Sequence, residues 1–351
     1  MGLILFIPHS VSAISDTASS SIVMDIDSGR VLYEKNADQR RLIASITKIM
    51  TAVVALENGN LDDIVTVGEE VLTMYGSNIY IELNEKMTLR DLLYGLLLRS
   101  GNDAAIVIAK YIGKDIDTFV QIMNDKAKEI GMENTTFSNP HGLDEETKNY
   151  STARDMAKLS SYAYHNETYK EITGTKKYVS KTEGKTYLWN NRNKLLSLYE
   201  YATGGKTGYT PSAGRTLVTT AFKDGLNLTC VTLNDPNEYD THESLYEYSF
   251  NTYTSYKIIN QYTFHIDKTY YKDNLYVNES FAYPLKENEV EKVKTLAKVE
   301  KLEKYKDNDQ VGEVIITMDN KEIKKVPIFV KVEKEVKKSF WQKIISWFKF
   351  W

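Results

Sequence analysis

The hydrophobic pattern of this chain changes character at about residue 260, and that change limits the fold more than any other feature. Up to about residue 260, runs with helical spacing alternate with runs that read as strands. After Tyr262 helical spacing disappears, and short alternating runs take over: Asn274–Val277, Glu291–Ala297, Glu313–Met318 and Val326–Val330. A strand exposes alternate residues to one face, whereas a helix repeats every 3.6 residues, so the two patterns cannot share one element. Two domains are therefore expected. The first is α+β, an antiparallel sheet with a helical subdomain; the second is small and all-β. A length of 351 residues suits two domains.

Within the first part, Ser20 to Tyr33 reads as a β-hairpin turning at Asp27-Ser28-Gly29. Helical spacing follows from Ser45 to Glu57. Thr88 is placed as an N-cap, with Asp91 three residues later. Further helices are expected over Asn102–Ile112 ended by Gly113, Asp115–Ile130 closed by Gly131, and Ser151–His165. Strand-like runs lie at Tyr178–Leu188, Gly214–Ala221 and Leu226–Leu233, and Thr241–Gln261 reads as a closing helix.

The ends differ from the middle. Met1 to Pro8 is apolar, and Val11-Ser12-Ala13 is a small-x-small triplet, so residues 1–13 are expected to be a signal-peptide remnant. Near the C-terminus Phe340, Trp341, Ile344, Ile345, Phe348 and Trp351 fall on one helical face. Gln342, Lys343, Ser346 and Lys349 fall on the other, after a run rich in lysine. An amphipathic helix over 335–351 that lies on an anionic membrane surface is expected. The implied divisions are 14–260 for the α+β domain and 261–334 for the β domain.

Composition excludes little but excludes it clearly. A net charge of −4 with no concentrated basic face argues against a nucleic-acid partner. The single cysteine, Cys230, lies in a strand-like run and is read as a buried structural thiol. Tyrosine is abundant, 25 against 11 phenylalanines, and is read as amphipathic packing. The histidines lack metal-ligand spacing, and neither a metal nor an organic cofactor is expected.

Three short motifs carry chemistry. Ser45-Ile46-Thr47-Lys48 places a hydroxyl and an amine on one helical face at a helix start, where the N-terminal potential favours an oxyanion. Such a lysine acts as a base only when neutral, which burial and a second nearby cation would bring about. Ser100-Gly101-Asn102 puts a hydroxyl and an amide in one tight loop. Lys206-Thr207-Gly208 reads as a strand edge where lysine and threonine hold a carboxylate and glycine lets a substrate lie close. Each is weak alone. In this order Ser-x-x-Lys, a Ser-x-Asn loop and Lys-Thr-Gly form a known set.

With these motifs the chain resembles the low-molecular-mass penicillin-binding proteins of the D-alanyl-D-alanine carboxypeptidase family. Gly76-Ser77-Asn78, Asp91–Leu98, Asn139-Pro140-His141-Gly142-Leu143-Asp144, Ser151–Met156 and Asn193–Leu196 extend the likeness across about Ser20 to Ser255. The resemblance implies a penicillin-binding, serine β-lactamase-like transpeptidase domain. It implies that Ser45 forms an acyl-enzyme and that Lys48 takes its proton and later activates water. Ser100 and Asn102 assist proton transfer and bind substrate, and Lys206 and Thr207 hold the terminal carboxylate. The backbone N–H groups of Ser45 and Tyr209 form the oxyanion hole; the family often has His where Tyr209 stands. The implied partners are peptidoglycan stem peptides and β-lactam antibiotics, and the implied location is the outer face of the cytoplasmic membrane. Two alternatives stay open. One is a serine β-lactamase, for which Glu145 and Asn149 have Glu-x-x-x-Asn spacing. The other is a non-catalytic β-lactam sensor or wall-binding protein. A Ser-His-Asp hydrolase lacks its Gly-x-Ser-x-Gly turn, and His141 is read as structural.

Overall fold

A computed structural model describes residues 14–266 and 270–332, so the segments 1–13 and 335–351 singled out above lie outside the described residues. The chain divides into two compact units, Met1–Ser255 and Tyr256–Trp351.

The first unit is built on a five-stranded antiparallel sheet. Its strand order is Val31–Lys35, Ser20–Asp25, Leu226–Leu233, Gly214–Lys223, Ala202–Thr210. The strand Leu226–Leu233 is central and almost wholly buried, so its alternation shows as two apolar destinations rather than as inside and outside. Val231 and Leu233 join the large helical core, while Leu228 and Cys230 join a second cluster with Leu245 and Tyr246. Cys230 is buried there, as expected of a structural thiol.

The helices are α1 (Lys48–Asn58), α2 (Leu89–Arg99), α3 (Asn102–Gly113), α4 (Ile116–Ile130), α5 (Ala153–Tyr164), α6 (Glu167–Gly174), the single turn α7 (Leu195–Leu198) and α8 (Glu238–Thr252). Their starts follow the capping chemistry. Thr88 Oγ1 accepts the Asp91 N–H at 3.0 Å and donates to the Asp91 carboxylate at 2.6 Å, so the threonine caps the helix and the aspartate orients its hydroxyl. Asp115 and Thr152 accept the N–H groups of Thr118 and Asp155 in the same way. Gly131, at φ +80°, closes α4.

Four expectations need correction. The first long helix does not begin at Ser45: a 3₁₀ turn, Ala44–Thr47, precedes α1. Gly113 does not stop α3 but is its last residue, and the left-handed cap is Lys114; a Cβ on Gly113 would lie 2.7 Å from the Phe119 nitrogen, so close packing explains this glycine. Tyr178–Leu188 is not one strand but a hairpin, Lys177–Thr182 and Lys185–Asn190, turning at Gly184 with φ +84°. The closing helix stops at Thr252, and the β-branched stretch after it forms the strand Thr254–Ile259.

The tyrosine excess has a pattern. Hydroxyls of Tyr94, Tyr178, Tyr162 and Tyr199 donate to Glu171, Asp91, Glu57 and Glu247, at 2.9, 2.9, 2.6 and 2.6 Å. The rings of Tyr94 and Tyr199 are buried while their hydroxyls reach carboxylates, which phenylalanine could not do.

In the second unit, four antiparallel strands are ordered Asn274–Val277, Lys321–Lys331, Gln310–Met318, Val293–Val299. Asp319 and Asn320 turn the hairpin with φ of 49° and 63°, the two left-handed residues of a type I′ turn. Val314, Ile316, Val326 and Ile328 form the centre of its core.

Candidate active site

Ser45 owes its position to a tight turn. Ala44 has φ +49°, an uncommon value outside glycine, and the Ala44–Thr47 turn follows. In a 3₁₀ turn residues i and i+3 eclipse, so Ser45 stands directly over Lys48, the first residue of α1. Lys48 Nζ lies 3.2 Å from Ser45 Oγ. Behind them α1 buries Ile49, Met50, Val53 and Val54, which fixes the turn from the core side.

Lys48 is fully buried. Its Nζ also donates to Asn102 Oδ1 at 2.8 Å and to the His141 carbonyl at 2.5 Å. Burial, then the nearby charges of Lys206 and Arg192, hold its pKa well below the ordinary lysine value, with Asp103 acting the other way. A neutral amine has two N–H groups and one lone pair. Asn102 and His141 take the hydrogens at the shorter distances, which leaves the lone pair for Ser45.

The loop after α2 supplies Ser100 and Asn102. Ser100 adopts the left-handed conformation at φ 64°, and its buried Oγ has no hydrogen-bond partner among the described residues. Asn102 opens α3; its N–H reaches the Ser77 carbonyl at 2.7 Å and its Nδ2 the Tyr75 carbonyl at 2.7 Å. Asp103 accepts from the N–H groups of Ile79 and Tyr80, clamping that segment against α3.

His141 contributes through its backbone. Asn139 Oδ1 accepts the Gly142 N–H at 2.7 Å, and Asn139 Nδ2 donates to the Leu143 carbonyl at 3.0 Å, so the loop is folded around one amide. Gly142, at φ +88°, presses on the Ala44 carbonyl, where any Cβ would collide. The imidazole accepts the Leu143 N–H, and burial and Lys48 push its pKa down to about 3. The ring is therefore a structural acceptor, as expected. The carbonyl on Lys48 was invisible in sequence because main-chain groups carry no residue signature.

The strand Ala202–Thr210 forms the other wall. Thr216 Oγ1, on the neighbouring strand, donates to the Ile43 carbonyl at 3.1 Å and ties the sheet to the nucleophile turn. A Cβ on Gly208 would lie 2.9 Å from the Ser45 nitrogen and 3.0 Å from that of Ile46, so only glycine permits this approach. Lys206 is buried and donates to the Thr207 carbonyl at 2.7 Å; burial, then Arg192, lower its pKa to about 7.

Ser45, Ser100, Thr207, Gly208 and Tyr209 line a common cleft of about 340 Å³, with Lys48, Asn102 and Lys206 in the wall behind. Sequence reasoning missed Ser77, Arg192 and Arg215, which also line it. Their signal is the strand register and the loop fold, neither of which a motif records. Glu145 is drawn instead to Tyr75, whose hydroxyl it pushes up to about 12. Asn149 is buried against Asn139 and Thr47.

A family profile described as D-alanyl-D-alanine carboxypeptidase matches residues 8–237. The D-alanyl-D-alanine carboxypeptidase DacC of Escherichia coli (strain K12) is 32% identical, over 93% of this chain and 88% of its own. DacF of Bacillus subtilis (strain 168), another D-alanyl-D-alanine carboxypeptidase, is 35% identical over 70% of this chain and 66% of its own. The crystal structure of penicillin binding protein 5 from Haemophilus influenzae superposes with a TM-score of 0.75 at 27% identity, covering 91% of this chain and 98% of that one. The fold is that of the penicillin-binding proteins.

Proposed function

The chain belongs to the D-alanyl-D-alanine carboxypeptidase family, and on that premise we propose how its residues divide the work of a serine D-Ala-D-Ala carboxypeptidase. Ser45 Oγ attacks the carbonyl carbon of the penultimate D-alanine while its proton passes to Lys48 Nζ. The oxyanion rests on the backbone N–H groups of Ser45 and Tyr209. The C–N bond then breaks, and the leaving D-alanine takes the proton from Lys48 relayed through Ser100, whose hydroxyl has no partner among the described residues. Lys48 next removes a proton from water as that water attacks the acyl carbonyl carbon, and returns the proton to Ser45 Oγ as the ester C–O bond breaks, which frees Ser45. Asn102 orients Lys48 and the substrate amide, and Thr207 with Lys206 receives the terminal carboxylate. A β-lactam enters the same first step, and its ring-opened acyl group stays on Ser45.

The observation that carries this reading is the buried Lys48 amine between Asn102 Oδ1, the His141 carbonyl and Ser45 Oγ. The alternative of a class A β-lactamase needs a dedicated glutamate to drive fast deacylation. None of the hydrogen-bond partners of Lys48 Nζ is a carboxylate, and Glu145 pairs with Tyr75. Peptidoglycan lies outside the cytoplasmic membrane, so the reading requires export, and the aromatic-lysine segment 335–351 is assigned to the membrane surface. No helix among the described residues is long and apolar enough to cross a membrane. The test is release of D-alanine from a stem pentapeptide ending in D-Ala-D-Ala. Release by the wild type and not by Ser45→Ala is expected. No release together with intact penicillin labelling would favour the sensor.

A further inference from the structure

The strand Ala202–Thr210 separates the two residues assigned to the carboxylate. Side chains alternate along a strand, so Lys206 and Gly208 point to one face and Thr207 and Tyr209 to the other. Gly208 abuts the Ser45 nitrogen, and Thr216 beside it reaches Ile43, so the Lys206 face looks toward the nucleophile turn. The opposite face carries Thr219, whose hydroxyl bonds His242 and Tyr246 of α8. A carboxylate on Thr207 Oγ1 therefore feels the buried Lys206 amine from across the strand, and that amine is only partly charged near neutral pH.

An exposed cation stands on the Thr207 side. Arg215 pairs directly across from Tyr209 in the antiparallel register, and directly opposed residues share a face. Its guanidinium lies 5.7 Å from the centre of the Tyr209 ring and lines the same cleft as Thr207. Its Nη1 also donates to Glu238 Oε1 at 3.2 Å. The Arg215 side chain is 56% exposed, whereas that of Glu238 is 10% exposed. A guanidinium has five N–H donors in a planar fork. One on Glu238 and one edge against Tyr209 leave donors free for the two oxygens of a carboxylate. Arg192, the other arginine of the cleft, donates from Nη1 to Ser77 Oγ at 2.8 Å, on the loop side of the cleft.

We propose that Arg215, preset by Glu238 and Tyr209, receives the C-terminal carboxylate of the substrate together with Thr207 and so selects peptides with a free α-carboxylate. The inference rests on the carboxypeptidase reading above and names its specificity-determining residue.

The test compares two substrates that share an acyl part: diacetyl-L-Lys-D-Ala-D-Ala, which ends in a carboxylate, and diacetyl-L-Lys-D-Ala methyl ester, whose leaving group is methanol. Wild type, Arg215→Gln and Arg215→Lys are assayed on both. Arg215→Gln is expected to lose about 10- to 100-fold in kcat/KM on the peptide, mostly through KM, and less than about 2-fold on the ester. Arg215→Lys should fall between, since it keeps the charge and loses the fork. The ratio of the two rates is taken within one preparation, so partial misfolding does not alter it. Equal losses on both substrates, or no loss on either, would overturn the proposal. Failure of the underlying reading shows separately, as turnover of both substrates by Ser45→Ala.

Discussion

Lys48 Nζ approaches Ser45 Oγ to 3.2 Å from a position with no exposure to solvent. Ammonium and amine are not equivalent there, because burial and two neighbouring cations oppose the charge. Replacing Lys48 with Gln keeps a polar group of similar reach and removes the base. Acylation by penicillin should slow by about 10²- to 10⁴-fold. The melting temperature should hold or rise, since a costly buried amine is gone. Stopped-flow acylation and a thermal melt check both halves.

The two buried lysines give kcat/KM opposite limbs in pH. Lys48 works when neutral, so the rate rises as pH climbs through its depressed pKa. Lys206 aids the substrate carboxylate when charged, and its pKa is lowered to about 7, so that aid fades as pH rises through 7. A bell is expected, because kcat/KM reports the free enzyme. Lys206→Arg fixes the charge and should remove the descending limb. An unchanged limb in that variant would reject this use of Lys206.

Two glycines fail differently. In Gly208→Ala the new Cβ meets backbone nitrogens of Ser45 and Ile46, so acylation should drop by roughly 100-fold or more while the fold persists. In Gly142→Ala the Cβ meets the Ala44 carbonyl from a left-handed backbone at φ +88°. A loss of about 2–4 kcal/mol in stability is expected, read from the denaturant midpoint.

Ser100→Ala separates structure from chemistry. The hydroxyl has no partner to lose, so stability should stay within about 0.5 kcal/mol. D-Alanine release should fall by about 10- to 100-fold if the hydroxyl relays the proton. A large drop in melting temperature with normal turnover per folded molecule would remove Ser100 from the mechanism.

Much of the site was legible because its side chains are written as motifs. Ser45 and Lys48 are three apart, and that spacing serves a 3₁₀ turn even better than the helix it suggested. The Thr88 cap was equally plain, since capping is local. Groups that depend on the fold were not legible. The His141 carbonyl reaches Lys48 across 93 residues, as a backbone atom with no side-chain signature. Arg215 acquires meaning only when the register sets it opposite Tyr209. The hairpin over 177–190 read as one strand because its turn, Glu183-Gly184, interrupts an otherwise continuous pattern. The tyrosine excess made sense only once distant carboxylates, such as Glu247 for Tyr199, were brought to the hydroxyls.

The central claim is that Ser45 is the nucleophile. Intact mass spectrometry after brief exposure to benzylpenicillin tests it most directly, with wild type and Ser45→Ala side by side. One penicilloyl adduct per wild-type chain and none on Ser45→Ala is the predicted result. An adduct of equal stoichiometry on Ser45→Ala would contradict the account, because the covalent chemistry would then belong to another residue.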